Sequence, residues 1–142
     1  EKITKILATH RGSIHVASFS KYDPAKYSDV IPSINVIILK NPCKDFSAFQ
    51  RFIDMSLQSV SKILNNFKKI KGITVTTISG KKVVYFIAEF DLNIVDGTTH
   101  HAKTITYSIP FDDAMIQVSM SEGTPPRNTK LFSDFINSFT IK

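Results

Sequence analysis

A chain of 142 residues and 15.9 kDa has the size of one ordinary domain, large enough to bury about 68% of the surface its unfolded form exposes. Hydrophobic residues make up 42% and charged residues 21%, which excludes a disordered tail. The longest unbroken apolar run, Val83 to Ala88, falls far short of the roughly 18 residues of a membrane-spanning helix, and eighteen basic against twelve acidic side chains leave +6.

The first residue is Glu1, and no charged-then-apolar leader opens the sequence. Removal of a signal peptide is one expectation for such a start. Ser13 to Tyr22 and Ile34 to Lys40 read as strands. Residues 23–33 between them hold Pro24 and Pro32 and read as a loop. Cys43 is the single cysteine, so it forms no internal disulfide. It follows Pro42, has no local His or Asp to pair with, and reads as a structural thiol.

A long amphipathic helix is expected from Asp45 or Ser47 to Lys71. Phe46, Phe49, Ile53, Leu57, Val60, Leu64 and Phe67 recur by threes and fours, which places them on one helical face. Phe52, Ile63 and Ile70 widen that stripe. Asp45 suits the N-cap, and Lys68, Lys69 and Lys71 would oppose the negative end of the helix dipole. Gly72 would supply the left-handed stop.

Beyond Gly72 the period changes to two. Ile73 to Ser79, Lys82 to Leu92, Thr99 to Ile109 and Ala114 to Ser121 read as four strands. They are joined by turns at Gly80-Lys81, Asp96-Gly97 and Asp112-Asp113, which makes an antiparallel meander. Glu122 to Arg127 holds Gly123, Pro125 and Pro126 and reads as a loop. A last helix begins at Asn128 or Thr129, with Leu131, Phe132, Phe135, Ile136 and Phe139 on its apolar face. The expected fold is α+β: one domain over residues 1–142, with a central antiparallel sheet in the order β-β-α-β-β-β-β-α, covered by the long helix and the C-terminal helix.

The chemical inventory is thin. No phosphate loop, nucleophile elbow or zinc-finger spacing occurs. His100 and His101 are adjacent, so on a strand they point to opposite faces and cannot chelate together. His10 and His15 have no better case. Asp112 and Asp113 suit a turn better than a catalytic pair. Arg11, Arg51 and Arg127 are the only arginines, whereas bidentate phosphate recognition favours arginine, and no RNA-binding pattern surrounds Tyr85 or Tyr107. No catalytic, cofactor-binding or metal-ligating residue is assigned. The candidate partner-binding surface is the part of the meander the helices leave uncovered: Val83, Tyr85, Ile87, Ile105 and Tyr107.

The phrase Ile78-Ser-Gly-Lys-Lys-Val-Val-Tyr-Phe86, the long hairpin after it, and the closing phrase Phe132-Ser-Asp-Phe-Ile-Asn-Ser-Phe139 resemble PsbP-like domains. In that family a central antiparallel sheet lies between helices. The resemblance follows element order over residues 34–142; the Pro-x-x-Trp phrase that often opens the family is missing, and the chain has no Trp. A cystatin-like or NTF2-like domain is the alternative fold. The resemblance implies binding rather than catalysis. Relatives include the extrinsic subunit of photosystem II, a nuclear Ran-binding factor, envelope lipoproteins of the DcrB type, and chaperones of type VI secretion effectors. The expected function is a non-enzymatic binding or accessory protein of the bacterial envelope, periplasmic or membrane-anchored as a lipoprotein, with no cofactor. Its expected partner is another protein and not nucleic acid, with peripheral membrane association through a lipid anchor outside residues 1–142. The alternatives are a cytoplasmic chaperone of secretion effectors and an enzyme with a hidden His/carboxylate metal site.

Overall fold

The sequence alternates with period two through its second half, and those strands assemble into one six-stranded antiparallel sheet. The structure, a computed structural model, describes residues 12–23, 26, 29–94 and 96–141. Glu1, His10, Arg11 and Pro24 lie outside these residues. Strands β1 (Ser13–Ser20) and β2 (Ser33–Lys40) precede helix α1 (Phe46–Ser61). Strands β3 (Asn65–Ile78), β4 (Lys81–Asn93), β5 (Thr99–Phe111) and β6 (Ala114–Gly123) follow, and helix α2 (Thr129–Ser138) closes the order. In space the strands run β1-β2-β6-β5-β4-β3. The expected meander is therefore present, and the first two strands extend it past β6.

Consecutive strand residues feed two separate cores. On one face Ile34, Val36, Val83, Ile109, Val118 and Met120 pack beneath Phe132 and Ile136 of α2. On the other, Val84 and Met115 pack beneath Phe49 and Ile53 of α1, with Leu39, Cys43 and Ile73 around them. The sheet thus lies between its helices.

The first helix is shorter than its apolar spacing predicts. It ends at Lys62, whose N–H is shared by the carbonyls of Ser59 and Val60, and Asn66 then turns the chain at φ 50°. Leu64, Phe67 and Ile70 are not helical but precede or belong to β3. Their spacing mimics a helix because β3 is irregular, with register shifts at Asn65/Lys68, Lys69/Lys71 and Lys71/Thr74. The β-branched run that follows Gly72 favours the ladder with β4. Lys68, Lys69 and Lys71 consequently sit on an edge strand and not at a helix terminus, and Gly72 lies within β3 rather than ending a helix. Val60 is 40% exposed, against 2% for Ile53 and 4% for Leu57. Leu131 of α2 is likewise exposed.

Local signals were otherwise followed closely. Asp45 Oδ1 accepts the Ala48 N–H at 2.8 Å, the expected cap. The hairpin between β3 and β4 turns on Ser79 and Gly80, both at positive φ, one residue earlier than expected. Gly97 has φ 84°, and Asp96 Oδ1 accepts the Thr98 N–H at 2.8 Å.

The two-sided core gives a stability test. Leu57→Ala removes a buried side chain and is expected to cost about 2–5 kcal/mol, whereas the exposed Val60→Ala should stay within about 0.5 kcal/mol. Urea unfolding of both variants checks the assignment; equal losses would contradict it.

Candidate partner-binding face

Coverage of the α2 face weakens from β6 towards β4. Ile105 and Tyr107 of β5 are half-buried against the α2 core. Tyr85 and Ile87 of β4 are half-buried and lie outside it. Cross-strand register sets Tyr85 opposite Tyr107 and Ile87 opposite Ile105. The two tyrosine rings stack with centroids 5.1 Å apart at 19°, a geometry worth about 0.5–1.5 kcal/mol beyond area burial. Val83 does not join them: it is 0% exposed, buried in the core that also holds Phe132 and Ile136 of α2. Four of the five expected residues therefore form one aromatic-aliphatic strip.

The strip is pinned by polar contacts. Lys71 Nζ of β3 donates to the Tyr85 hydroxyl at 2.6 Å. Burial, then the neighbouring Tyr85, pushes the Tyr107 hydroxyl above its ordinary pKa of 10.0, so it stays a neutral donor and acceptor. At the far end His101 of β5 bridges two carboxylates of β4. Its Nδ1 lies 2.6 Å from Asp91 Oδ1 and its Nε2 3.5 Å from Glu89 Oε2. The hydrogen bond to Asp91, reinforced by Glu89, raises the His101 pKa above 6.5. The Asp91 pKa is lowered by the hydrogen bond from Asn66 and then by that of His101.

His100 points the other way, as alternation requires. Its Nδ1 lies 2.8 Å from Asp29 Oδ1 and its Nε2 2.8 Å from Thr98 Oγ1. The two histidines do not converge, and among the described residues no group of three His, Cys, Asp or Glu is placed to hold a metal. Asp112 and Asp113 occupy the β5–β6 turn, Asp112 at φ 50°. Cys43 packs beside the α1 core. Burial, then Asp45, raises its thiol pKa, which keeps the weakly nucleophilic protonated form.

Two features had no sequence signal. Glu122 is 4% exposed, and its Oε2 accepts the N–H groups of Arg127 and Asn128, each at 2.9 Å, and Asn128 Nδ2 at 2.8 Å. Asn128 Oδ1 accepts from Lys21 Nζ at 2.8 Å. This network fixes the loop that delivers α2 to the sheet. No short motif encodes a carboxylate binding backbone five and six residues ahead across two prolines. The second feature is a groove of about 370 Å³ between the C-terminal half of α1 and the sheet, lined by Leu39, Phe52, Leu57, Val60, Phe86 and Met115. It depends on where α1 ends, which periodicity misplaced.

The bridge at His101 sets a pH window. A raised histidine pKa contributes fully below 6.5 and is lost as pH rises through the raised value. A lowered aspartate pKa contributes above 3.8 and is lost as pH falls through the lowered value. The pair is therefore complete between these ordinary values. An NMR titration of the His101 ring should give a midpoint above 6.5 that falls in Asp91→Asn. An unchanged midpoint in the variant would show that the contact does not form in solution.

The fold recurs in two solved structures of low sequence similarity. One is PA94, a Pseudomonas aeruginosa protein of unknown function, at a TM-score of 0.64 and 14% identity over 89% of this chain and 82% of that one. The other is LpqN, involved in cell envelope biogenesis of Mycobacterium tuberculosis, at a TM-score of 0.51 and 14% identity over 87% of this chain and 72% of that one. No family model and no curated protein sequence matches the chain. At such identity the likeness establishes the shared α+β architecture.

Proposed function

We propose that the chain is a non-enzymatic binding or accessory protein of a bacterial cell envelope, PsbP-like in architecture, that engages another protein through the β4–β5 part of its α2 face. The observation that carries this reading is the Tyr85–Tyr107 stack beside Ile87 and Ile105, left half-open where the cover of α2 gives out. Stacked tyrosines offer large, rigid contact area with hydroxyls at the rim, the chemistry enriched at protein interfaces. The envelope assignment draws on the fold shared with LpqN. The non-enzymatic part draws on the sequence, which carries no phosphate loop, nucleophile elbow or zinc-finger spacing.

Site-specific photocrosslinking tests the face. A photoreactive residue at Ile87 or Ile105 of the protein in intact cells should yield a discrete adduct. The same residue at Met55, on the outer side of α1, should not. The adduct should survive high salt during irradiation and disappear with Tyr107→Asp. An adduct abolished by salt but indifferent to Tyr107 would move the contact to a charged surface and end this reading.

A further inference from the structure

The positive charge of this chain is segregated. Lys62, Lys68, Lys69, Lys71, Lys81 and Lys82 fall between Asp54 and Glu89 with no acidic residue among them. Outside that stretch twelve basic side chains balance twelve acidic ones, so these six lysines equal the whole surplus of +6. The fold places them along one border of the molecule. Lys68, Lys69 and Lys71 lie on β3, which among the described residues ends the sheet and pairs with β4. Lys62 lies just before it, and Lys81 and Lys82 open β4 beside its far end.

Two lysines elsewhere have acidic partners among the described residues. Lys26 pairs with Asp23, and Lys130 with Asp134. Lys62, Lys68 and Lys69 are exposed and have no acidic partner among the described residues. Large apolar side chains stand among them: Ile63 is 78% exposed and Ile70 44%. Lysines on an edge strand guard against edge-to-edge pairing, and that would account for Lys68, Lys69 and Lys71 alone. It does not account for isoleucines held out in water beside them; the acidic residue opposite Lys68 in the ladder, Glu89, faces His101.

We infer that the β3 edge is a docking surface for an anionic lipid bilayer. The lysines meet the negative headgroups, and Ile63 and Ile70 enter the interfacial layer. Clustered lysines near an anionic leaflet gain by counter-charge, and short apolar side chains add area that salt does not screen. Nucleic acid suits the edge less well. The stretch contains no arginine for bidentate phosphate contacts, and exposed isoleucines offer no surface on which bases stack. The edge meets the tyrosine strip at Lys71, but docking through Lys62, Lys68, Lys69, Ile63 and Ile70 does not need the strip, so the two readings fail independently.

Vesicle co-sedimentation tests the inference. The wild-type protein should sediment with phosphatidylcholine vesicles containing phosphatidylglycerol and not with phosphatidylcholine alone, and binding should weaken as salt rises. The triple variant Lys62→Gln/Lys68→Gln/Lys69→Gln should bind about 100-fold more weakly, at about fivefold per lysine. Lys40→Gln/Lys44→Gln/Lys130→Gln has the same net charge and should bind as the wild type does. Ile63→Gln/Ile70→Gln should lose the binding that persists at high salt. Equal losses in the two lysine triples would reduce the effect to net charge and overturn the inference. So would wild-type binding to neutral vesicles, or retention on polyuridylate without retention on anionic vesicles. The wild-type salt and lipid series decides the question even if a variant misfolds, and circular dichroism reports that.

Discussion

Val83 and Val84 are neighbours on β4, and both are fully buried. Alternation sends them to opposite faces, so this sheet must be covered on both sides along its centre. Most of the architecture follows from that constraint. Phe49, Ile53 and Leu57 of α1 close one face, and Phe132 and Ile136 of α2 close the other. Each helix reaches the sheet through a loop that must be held in place. Asp45 caps the first helix, while the buried Glu122 carboxylate gathers the backbone just ahead of the second. Burying that carboxylate is tolerable because three N–H donors converge on one of its oxygens. Two helices of 16 and 10 residues cannot cover six strands. Where the cover of α2 gives out, between β5 and β4, the aromatic strip begins.

The sheet was legible because its signals are local and agree with one another. Alternation over Lys82 to Leu92, a Gly at positive φ in the Asp96-Gly97 turn, and aspartates in the β5–β6 turn all point to the same meander. The extent of the first helix was not legible. Phe67 and Ile70 are three apart, which suits a helix, and the bulges of β3 produce the same interval on a strand. Periodicity alone cannot separate those cases. The deciding facts are long-range: β4 offers a full ladder to residues 65–78, and Asn66 adopts the left-handed turn that lets the chain take it.

That one misplacement also obscured the charge. With Lys68, Lys69 and Lys71 at a helix terminus, the dipole accounts for them and nothing further is required. On an edge strand the dipole is gone, and a cationic row beside exposed isoleucines needs a different cause. Tyr85, Ile87, Ile105 and Tyr107 were expected only as sheet positions that the helices leave uncovered; their pairing across β4 and β5 comes from the register around the Asp96-Gly97 turn. Val83 shares their face by alternation, but alternation carries no information on how far along β4 the second helix extends. The Glu122 network joins residues across two prolines and a strand end, so it appears only in three dimensions.

The two borders of the sheet are unlike, and that difference orients the molecule. β1 carries no Lys, Arg, Asp or Glu, whereas β3 carries three lysines. Strands in a sheet lie about 4.8 Å apart, so Tyr85 on β4 and Tyr107 on β5 stand one and two strands in from the lysine border, about 5 and 10 Å away. Lys71 belongs to both features, since its ammonium sits on the β3 edge and donates to the Tyr85 hydroxyl. With the β3 edge against a bilayer, the sheet stands upright on the surface and the tyrosine strip opens sideways just above the headgroups. A partner docking there would itself be held close to the membrane. The bilayer would also confine it to a thin layer, which raises its effective concentration at the strip without any added contact. A modest patch of four half-buried side chains could then suffice for recognition, because the lysine edge supplies the proximity and the strip the specificity.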